Sequence, residues 1–327
     1  MSGPTVLLTT TAAGRGLYDV AVRALAQAGL TVVDTGSERP DEPTLARLAA
    51  SVDAILATLV PLNAAVIEAG AGVKIIAKVG AGTDNIDVAA ATRRNIPVCN
   101  TPGANAESVA DHVLALILAI ARRLLPLDAV TRAGRGWEPW PPYLGEELGG
   151  KVLGILGFGR TGQAVARRAR AFGMECRAYD PFAGALAPEA TADVTLTALD
   201  ELLAVADYVS LHVPLSDDTR ALVGVRELAL MKPTAVLINT SRGPVVDEPA
   251  LVRALRAGGI RAAGLDVFAD EPAVANPLFE LDNVVLTPHV AGMTTEATAN
   301  ACRLAAESIV AALRGEVPPR MVNAVGA

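Results

Sequence analysis

Short apolar runs rich in β-branched residues alternate with longer amphipathic stretches along most of this chain. Val6-Leu7-Leu8, Thr31-Val32-Val33, Ala54-Ile55-Leu56 and Lys74-Ile75-Ile76 read as strands buried on both faces. Helical patterns separate them over Leu17 to Ala28, Thr44 to Ala50 and Ala64 to Ala69. A second series starts at Lys151, with strands over Val152 to Leu156, Glu175 to Tyr179, Tyr208 to Leu211, Val236 to Ile238, Ala262 to Leu265 and Val284 to Leu286. Strands alternating with helices in this way predict βαβ units, and so an α/β fold of two doubly wound parallel-sheet halves. A long helical pattern over Asn105 to Arg123 is placed to join the halves, and a last helix over about Thr294 to Leu313 follows the second series. In Arg93-Arg94-Asn95-Ile96-Pro97, Asn95 sits where a helix ends and a strand begins, and Asn tolerates the left-handed conformation of a C-terminal cap.

The length of 327 residues agrees with about two domains. With 51% hydrophobic and 19% charged residues the chain has ample core. Its net charge of −7, without a basic block, argues against nucleic acid as a partner. The longest strongly apolar run, Val113 to Ala121, is nine residues and is closed by Arg122-Arg123. A membrane span needs roughly 20, so no membrane partner is expected. Met1 to Gly14 lacks the basic start of a signal peptide. Cys99, Cys176 and Cys302 are too scattered for a disulfide framework or a metal site, which points to a reducing, cytoplasmic setting.

Gly157-Phe158-Gly159-Arg160-Thr161-Gly162 fits GxGxxG, with a predicted strand directly before it and a helix over Gln163 to Phe172 after it. In that context the first glycine permits a tight turn and the second admits a pyrophosphate to the backbone. The third lets helix and strand pack closely, and the phosphates meet the helix N-terminus. A second strand ends at Asp180, 18 residues beyond Gly162. An acid there accepts hydrogen bonds from ribose hydroxyls and repels a 2′-phosphate, which predicts NAD over NADP.

A hydride transfer at an alcohol carbon needs a base near neutral pH, and histidine is the usual one. The chain has three. His112 lies in an apolar helix, where a packing or capping role is expected. His212 and His289 both sit at predicted strand ends, and position alone divides the base role between them. Arg242, in Asn239-Thr240-Ser241-Arg242-Gly243, can hold a carboxylate bidentately or be an ordinary surface Arg. Leu265 to Pro272 carries three acids after a strand, one of which can orient an imidazole. Gly80-Ala81-Gly82 follows a strand and offers either a carboxylate nest or a tight turn.

Taken in order, these motifs resemble the D-isomer-specific 2-hydroxyacid dehydrogenase family, from about Lys74 to about Glu307. The carriers are Val79-Gly80-Ala81-Gly82-Thr83-Asp84-Asn85-Ile86-Asp87, the Gly157 turn with Tyr179-Asp180-Pro181, Leu211-His212-Val213-Pro214-Leu215, Asn239 to Asp247, Leu265 to Pro272, and Thr287 to Gly292. The resemblance implies Rossmann- or flavodoxin-like domains with a cleft between them: residues 1–101 plus 290–327 as substrate domain, 102–289 as NAD domain. It implies catalytic Arg242, Glu271 and His289, with His289 the base and Glu271 its partner. NAD is expected to meet Thr101, Gly157, Gly159, Arg160, Thr161, Gly162, Asp180, His212, Pro214, Thr219, Thr240 and Asp266, the last at the nicotinamide carboxamide. Substrate is expected at Val79, Gly80, Ala81, Gly82 and Arg242. Lys78 matches a position where phosphoglycerate dehydrogenases carry Arg toward a phosphate, so 3-phosphoglycerate stands beside hydroxypyruvate and glyoxylate as a substrate.

A homodimer is implied, with the Trp137 and Trp140 loop reaching across it. The serine-sensing domain of some phosphoglycerate dehydrogenases is not expected. Two positions depart from the common pattern: Asp111 where many members have Glu, and Thr161 where Ile is usual. Two other readings share the fold. C-terminal-binding corepressors, which sense NADH, resemble Val98-Cys99-Asn100 and Ala110-Asp111, but carry a Trp soon after the His, where this chain has Ala291-Gly292-Met293. A formate or phosphite dehydrogenase is the other.

Overall fold

The computed structural model describes residues 3–10, 12–137, 144–183 and 192–325. The chain divides into two compact units, Met1–Asn105 with Met293–Ala327, and Ala106–Gly292.

The first unit is built on five strands, β1 (Thr5–Leu8), β2 (Thr31–Asp34), β3 (Ala54–Ala57), β4 (Ile76–Lys78) and β5 (Val98–Cys99). All pair in parallel, in the order β2-β1-β3-β4-β5. Successive side chains of a strand point to opposite faces, and here both faces are covered. Leu7, Ile55 and Ile76 pack with helices α2 (Glu42–Ala49), α3 (Ala64–Ala69) and α4 (Val88–Arg93). Their neighbours Val6, Leu8, Leu56 and Ala77 pack on the other side with α1 (Ala12–Gln27) and the C-terminal helix Thr295–Leu313. This double burial is why the strands read as continuous apolar runs.

The second unit carries seven parallel strands: β6 (Val152–Leu156), β7 (Glu175–Tyr179), β8 (Thr195–Leu196), β9 (Tyr208–Leu211), β10 (Val236–Asn239), β11 (Ala262–Leu265) and β12 (Val284–Leu286). Their order is β12-β11-β10-β9-β6-β7-β8. The order reverses at β6, which lies between β7 and β9. One face packs against α5 (Ala106–Ala121) and α7 (Arg160–Ala171), and the other against α8 (Leu199–Val205), α9 (Val225–Leu230) and α10 (Glu248–Arg256). Between α5 and β6 lies α6 (Leu124–Arg132), which has no buried residue. The Thr295–Leu313 helix, the last in the chain, is α11.

The α/β reading of two parallel, doubly wound sheets is what the structure has. Asn95 lies at φ 56°, the left-handed conformation expected of it. The differences are in short elements. β4 starts at Ile76 rather than Lys74, and the two-residue strand β8 and the seven- and six-residue helices α8 and α9 are too short for periodicity to stand out. The crossings between the units fall between Asn105 and Ala106, just before α5, and between Gly292 and Met293. Of the two tryptophans in the loop singled out above, Trp137 is described and 90% exposed. Trp140 lies outside the described residues.

Candidate active site

In the second unit, parallel register aligns the ends of six strands. Leu156 pairs with Tyr179 and Leu211, Asn239 with Leu211 and Leu265, and Leu265 with Leu286. The residues that follow, Gly157, Asp180, His212, Thr240, Asp266 and Thr287, therefore line one carboxyl edge. In open α/β sheets ligands bind along this edge, at the point where strand order reverses.

The glycine turn sits at that point. Gly157 has φ +90°, and a Cβ on it would lie 2.8 Å from the His212 carbonyl. A Cβ on Gly162 would lie 2.3 Å from the Gly157 oxygen. Both glycines are thus required by the fold. Gly159 is different: it is the N-cap of α7, and no atom lies within 4 Å of where its Cβ would be. The open side of this turn and the uncapped helix N-terminus form a place for a pyrophosphate. Asp180 Oδ2 accepts the Phe158 amide at 2.8 Å and its Oδ1 accepts the Phe182 amide at 2.8 Å, so the acid braces the turn. Arg160 is exposed and Thr161 half-buried at the start of α7. Thr240 is buried, and its hydroxyl has no hydrogen-bond partner. A buried orphan hydroxyl on the same edge, together with the open turn, fits a dinucleotide.

His212 closes off the turn from the β9 side. Its amide donates to the Leu156 carbonyl at 2.7 Å, and its Nε2 lies 2.8 Å from Ser210 Oγ. Burial pushes its pKa down to about 3. A ring that stays neutral throughout the physiological range cannot carry a proton back and forth, which removes His212 from the choice left open by position. Beyond it, Thr219 Oγ1 donates to the Pro214 carbonyl at 2.5 Å and holds that loop.

His289 is placed otherwise. Its Nδ1 lies 2.6 Å from Glu271 Oε2, while Glu271 Oε1 accepts the Phe268 amide at 3.0 Å. Burial works to raise the Glu271 pKa. The hydrogen bond and charge of His289, the Phe268 amide and the Arg242 guanidinium outweigh it and hold the carboxyl below its ordinary range. An ionised carboxylate on Nδ1 fixes the tautomer and orientation of the ring and leaves Nε2 for a substrate. Arg242 is half-buried in a turn organised by Asn239, whose Nδ2 donates to the Arg242 carbonyl at 2.9 Å. Gly243 presses this turn against the Glu271 loop, since a Cβ there would lie 1.8 Å from the Phe268 oxygen. That contact explains why the Arg and the Glu–His pair share one neighbourhood.

Asp266 is fully buried. Its carboxylate accepts the amides of Val290 at 2.9 Å and Ala291 at 2.8 Å and the Thr287 hydroxyl at 2.5 Å. Its own carbonyl accepts the His289 amide at 2.7 Å. His112 completes this cluster, with Nε2 2.9 Å from Thr287 Oγ1. The packing or capping expected of His112 is replaced by a polar contact beneath the His289 loop. No sequence signal marks it, because His112 and Thr287 are 175 residues apart.

In the first unit, Thr101 is 1% exposed and paired reciprocally with Gly80. Its hydroxyl accepts the Gly80 amide at 2.9 Å and its amide donates to the Gly80 carbonyl at 2.9 Å. Thr101 thus fixes the Val79–Gly82 turn. Lys78 is buried at 3% exposure, and its ammonium donates to the Thr58 carbonyl. Its stem underlies the turn, 3.6 Å from where a Gly80 Cβ would be. Among the described residues, no group of His, Cys, Asp and Glu is placed to hold a metal ion, and no helix is long and apolar enough to cross a membrane.

Comparison with known proteins identifies relatives of this chain. The family described as D-isomer specific 2-hydroxyacid dehydrogenase, NAD binding domain, matches residues 114–291, more than half of the chain. A glyoxylate reductase of Thermococcus litoralis is 45% identical over 294 residues, 87% of each chain. A D-3-phosphoglycerate dehydrogenase of Mycobacterium leprae is 44% identical over 288 residues, which are 88% of this chain but 54% of that protein. The crystal structure of a protein from Thermus thermophilus superposes with a TM-score of 0.85 at 38% identity, covering 98% of this chain and all of that one.

Proposed function

The chain belongs to the D-isomer-specific 2-hydroxyacid dehydrogenase family, an NAD-dependent oxidoreductase of D-2-hydroxy acids, and from that premise we propose that His289, Glu271 and Arg242 are its catalytic residues and a short, unphosphorylated 2-oxo acid its substrate. NAD, when bound, supplies or accepts the hydride. In reduction, His289 gives a proton from Nε2 to the C2 oxygen, and in oxidation it removes the hydroxyl proton. Glu271, ionised and hydrogen-bonded to Nδ1, keeps the ring oriented and favours its charged form. Arg242 binds the substrate carboxylate and the C2 oxygen, where negative charge develops. The Val79–Gly82 turn offers backbone amides to the carboxylate, with Gly80 already committed to Thr101. Gly157, Gly159, Arg160, Thr161 and Gly162 receive the pyrophosphate. Asp180 faces the ribose, and Thr240, His212, Pro214 and Thr219 line the path of the dinucleotide. Asp266, expected at the nicotinamide carboxamide, is instead fully buried and occupied by the loop donors, so it serves this site by holding the His289 loop.

The observation that carries the mechanism is the 2.6 Å contact between His289 Nδ1 and Glu271 Oε2. The observation that bears on substrate is Lys78. Its side chain is 3% exposed and one of its ammonium donors goes to the Thr58 carbonyl inside the first unit, which favours a support for the turn over a phosphate contact. Relatives named glyoxylate reductase point the same way. The test is NADH oxidation with glyoxylate, hydroxypyruvate and 3-phosphohydroxypyruvate, using wild type and His289→Ala. The proposal expects glyoxylate or hydroxypyruvate to have the highest kcat/KM and the variant to be inactive. A clear preference for the phosphorylated acid overturns the substrate assignment, and an active His289→Ala overturns the base.

A homodimer is part of the same reading. Helix α6 buries none of its residues and exposes Leu124 and Leu125, with Trp137 shortly beyond. A second copy is the occupant that a family built as dimers would place there. Sedimentation of wild type and of a Leu124→Asp, Leu125→Asp variant tests it, with a shift from dimer to monomer expected. The three free, buried cysteines suit the reducing cytoplasm.

A further inference from the structure

We propose that His112 is a positioning residue for the reaction, acting through Thr287 and Asp266 on the backbone that carries His289. The inference rests on His289 being the acid–base group. His289 sits at φ 56°, a left-handed conformation uncommon for a residue with a side chain and kept only where the surroundings over-determine it. Asp266 provides that determination. It takes three consecutive amides of the loop, His289 on its carbonyl oxygen and Val290 and Ala291 on its two carboxylate oxygens.

The remaining members follow from donor and acceptor accounting. An ionised carboxylate only accepts, so the Thr287 hydroxyl spends its single proton on Asp266 Oδ1, 2.5 Å away. Toward His112, Thr287 can then only accept. His112 Nε2, at 2.9 Å, therefore carries a hydrogen and donates it. The same nitrogen lies 3.7 Å from Asp266 Oδ1. His112 thereby holds the hydroxyl in the sense that keeps Asp266 bonded to the loop. It also brings an N–H toward a carboxylate that is otherwise sealed from water. Because α5 packs against the sheet through Val109, Ala110 and Val113, the ring is fixed from a rigid element. Loss of this support lets the loop relax, and a base displaced by a fraction of an ångström to an ångström slows proton transfer by up to about a hundredfold.

The test uses the holoenzyme with whichever 2-oxo acid wild type reduces best. His112→Phe keeps the bulk and removes the donor, His112→Gln keeps an N–H donor, and Thr287→Val removes the hydroxyl. His112→Phe and Thr287→Val are each expected to lower kcat about tenfold, with KM and the NADH Kd within about threefold of wild type. His112→Gln is expected to restore kcat to within about threefold. The double variant should be no worse than the worse single one, because both act on one chain of contacts. The isotope effect on kcat with C4-deuterated NADH should rise in the impaired variants. Unchanged kcat in His112→Phe, an equal loss in His112→Gln, or multiplying losses in the double variant would overturn the proposal. If His112→Phe does not fold, Thr287→Val and His112→Gln still decide it. His289→Gln is run alongside: if it is active the base assignment fails, and if it is dead while His112→Phe is normal only the positioning role fails.

Discussion

The three glycines of the turn give the sharpest separation of fold from cofactor binding. Gly159 has φ −72° and ψ −162°, which an L-residue adopts without strain, and open space where a Cβ would go. Gly159→Ala removes backbone freedom from the unfolded chain, a gain of about 0.4–1 kcal/mol. Ala is also a poorer N-cap than Gly, a loss of roughly the same size. The two nearly cancel, so the melting temperature should stay within about 2 °C of wild type. Gly162→Ala instead drives a Cβ to 2.3 Å from the Gly157 oxygen. Neither backbone can yield cheaply, and a cost of about 1–3 kcal/mol lowers the melting temperature by several degrees. NADH reverses the contrast. The new methyl of Gly159→Ala stands on the surface that the pyrophosphate approaches, and the expected loss is about tenfold or more in Kd, at about 1.4 kcal/mol per factor of ten. Thermal unfolding without cofactor and a fluorescence titration with NADH measure the two quantities separately. A Gly159→Ala protein that binds NADH as tightly as wild type would refute the placement of the pyrophosphate. One that melts like Gly162→Ala would refute the open space at the turn.

Three other outcomes follow from the same geometry. Glu271→Gln keeps a group near His289 Nδ1 but no charge, and kcat should fall about ten- to a hundredfold with KM little changed in steady-state assays; an unchanged kcat removes Glu271 from the mechanism. The folded chain keeps His212 neutral down to about pH 3, whereas an unfolded histidine takes up a proton below about 6.5. The unfolded state therefore binds the extra proton, so the contribution of His212 to stability is whole above about pH 6.5 and is lost as pH falls toward 3. At pH 5 the loss is about 2 kcal/mol, and the drop in melting temperature between pH 7.5 and pH 5 should be smaller in His212→Asn than in wild type. Gly243→Ala puts a Cβ 1.8 Å from the Phe268 oxygen and must part the Arg242 and Glu271 loops. Activity should fall by at least tenfold while NADH, held mainly on the glycine turn, still binds.

Much of the second unit was legible because its strands are buried on both faces. β6, β7, β9, β11 and β12 fall where the apolar runs place them, and fixed spacing from β6 located Asp180 as well as the three glycines. The candidate catalytic groups were legible through the family resemblance, and the fold gives them a common place. Arg242, Glu271 and His289 each follow a strand end, and parallel register alone brings those ends to one edge. What stayed hidden depends on pairs far apart in the chain. Gly80 meets Thr101, Gly157 meets the His212 carbonyl, and Gly243 meets Phe268, and none of these contacts has a period or a motif. Lys78 at the end of β4 reads, by its match to the family, as a lysine that faces a phosphate. The Thr58 carbonyl that takes its ammonium is 20 residues away.

The same division runs through the candidate site. Residues that would touch cofactor or substrate belong to short segments, because a strand end and the turn after it fix their own geometry locally. Residues that hold those segments in place come from wherever the fold supplies a neighbour. His289 shows both sides. Its position after β12 could be read from Val284-Val285-Leu286 alone, but its left-handed backbone depends on Asp266 at the end of β11 and its ring on Glu271 beyond that. The choice between His212 and His289 turns on the same point. Both follow strands and both are imidazoles, and only the surroundings of each ring push the pKa of one down to about 3 and pair the other with a carboxylate. Sequence order names the candidates for a proton carrier, and the surroundings of each ring separate them.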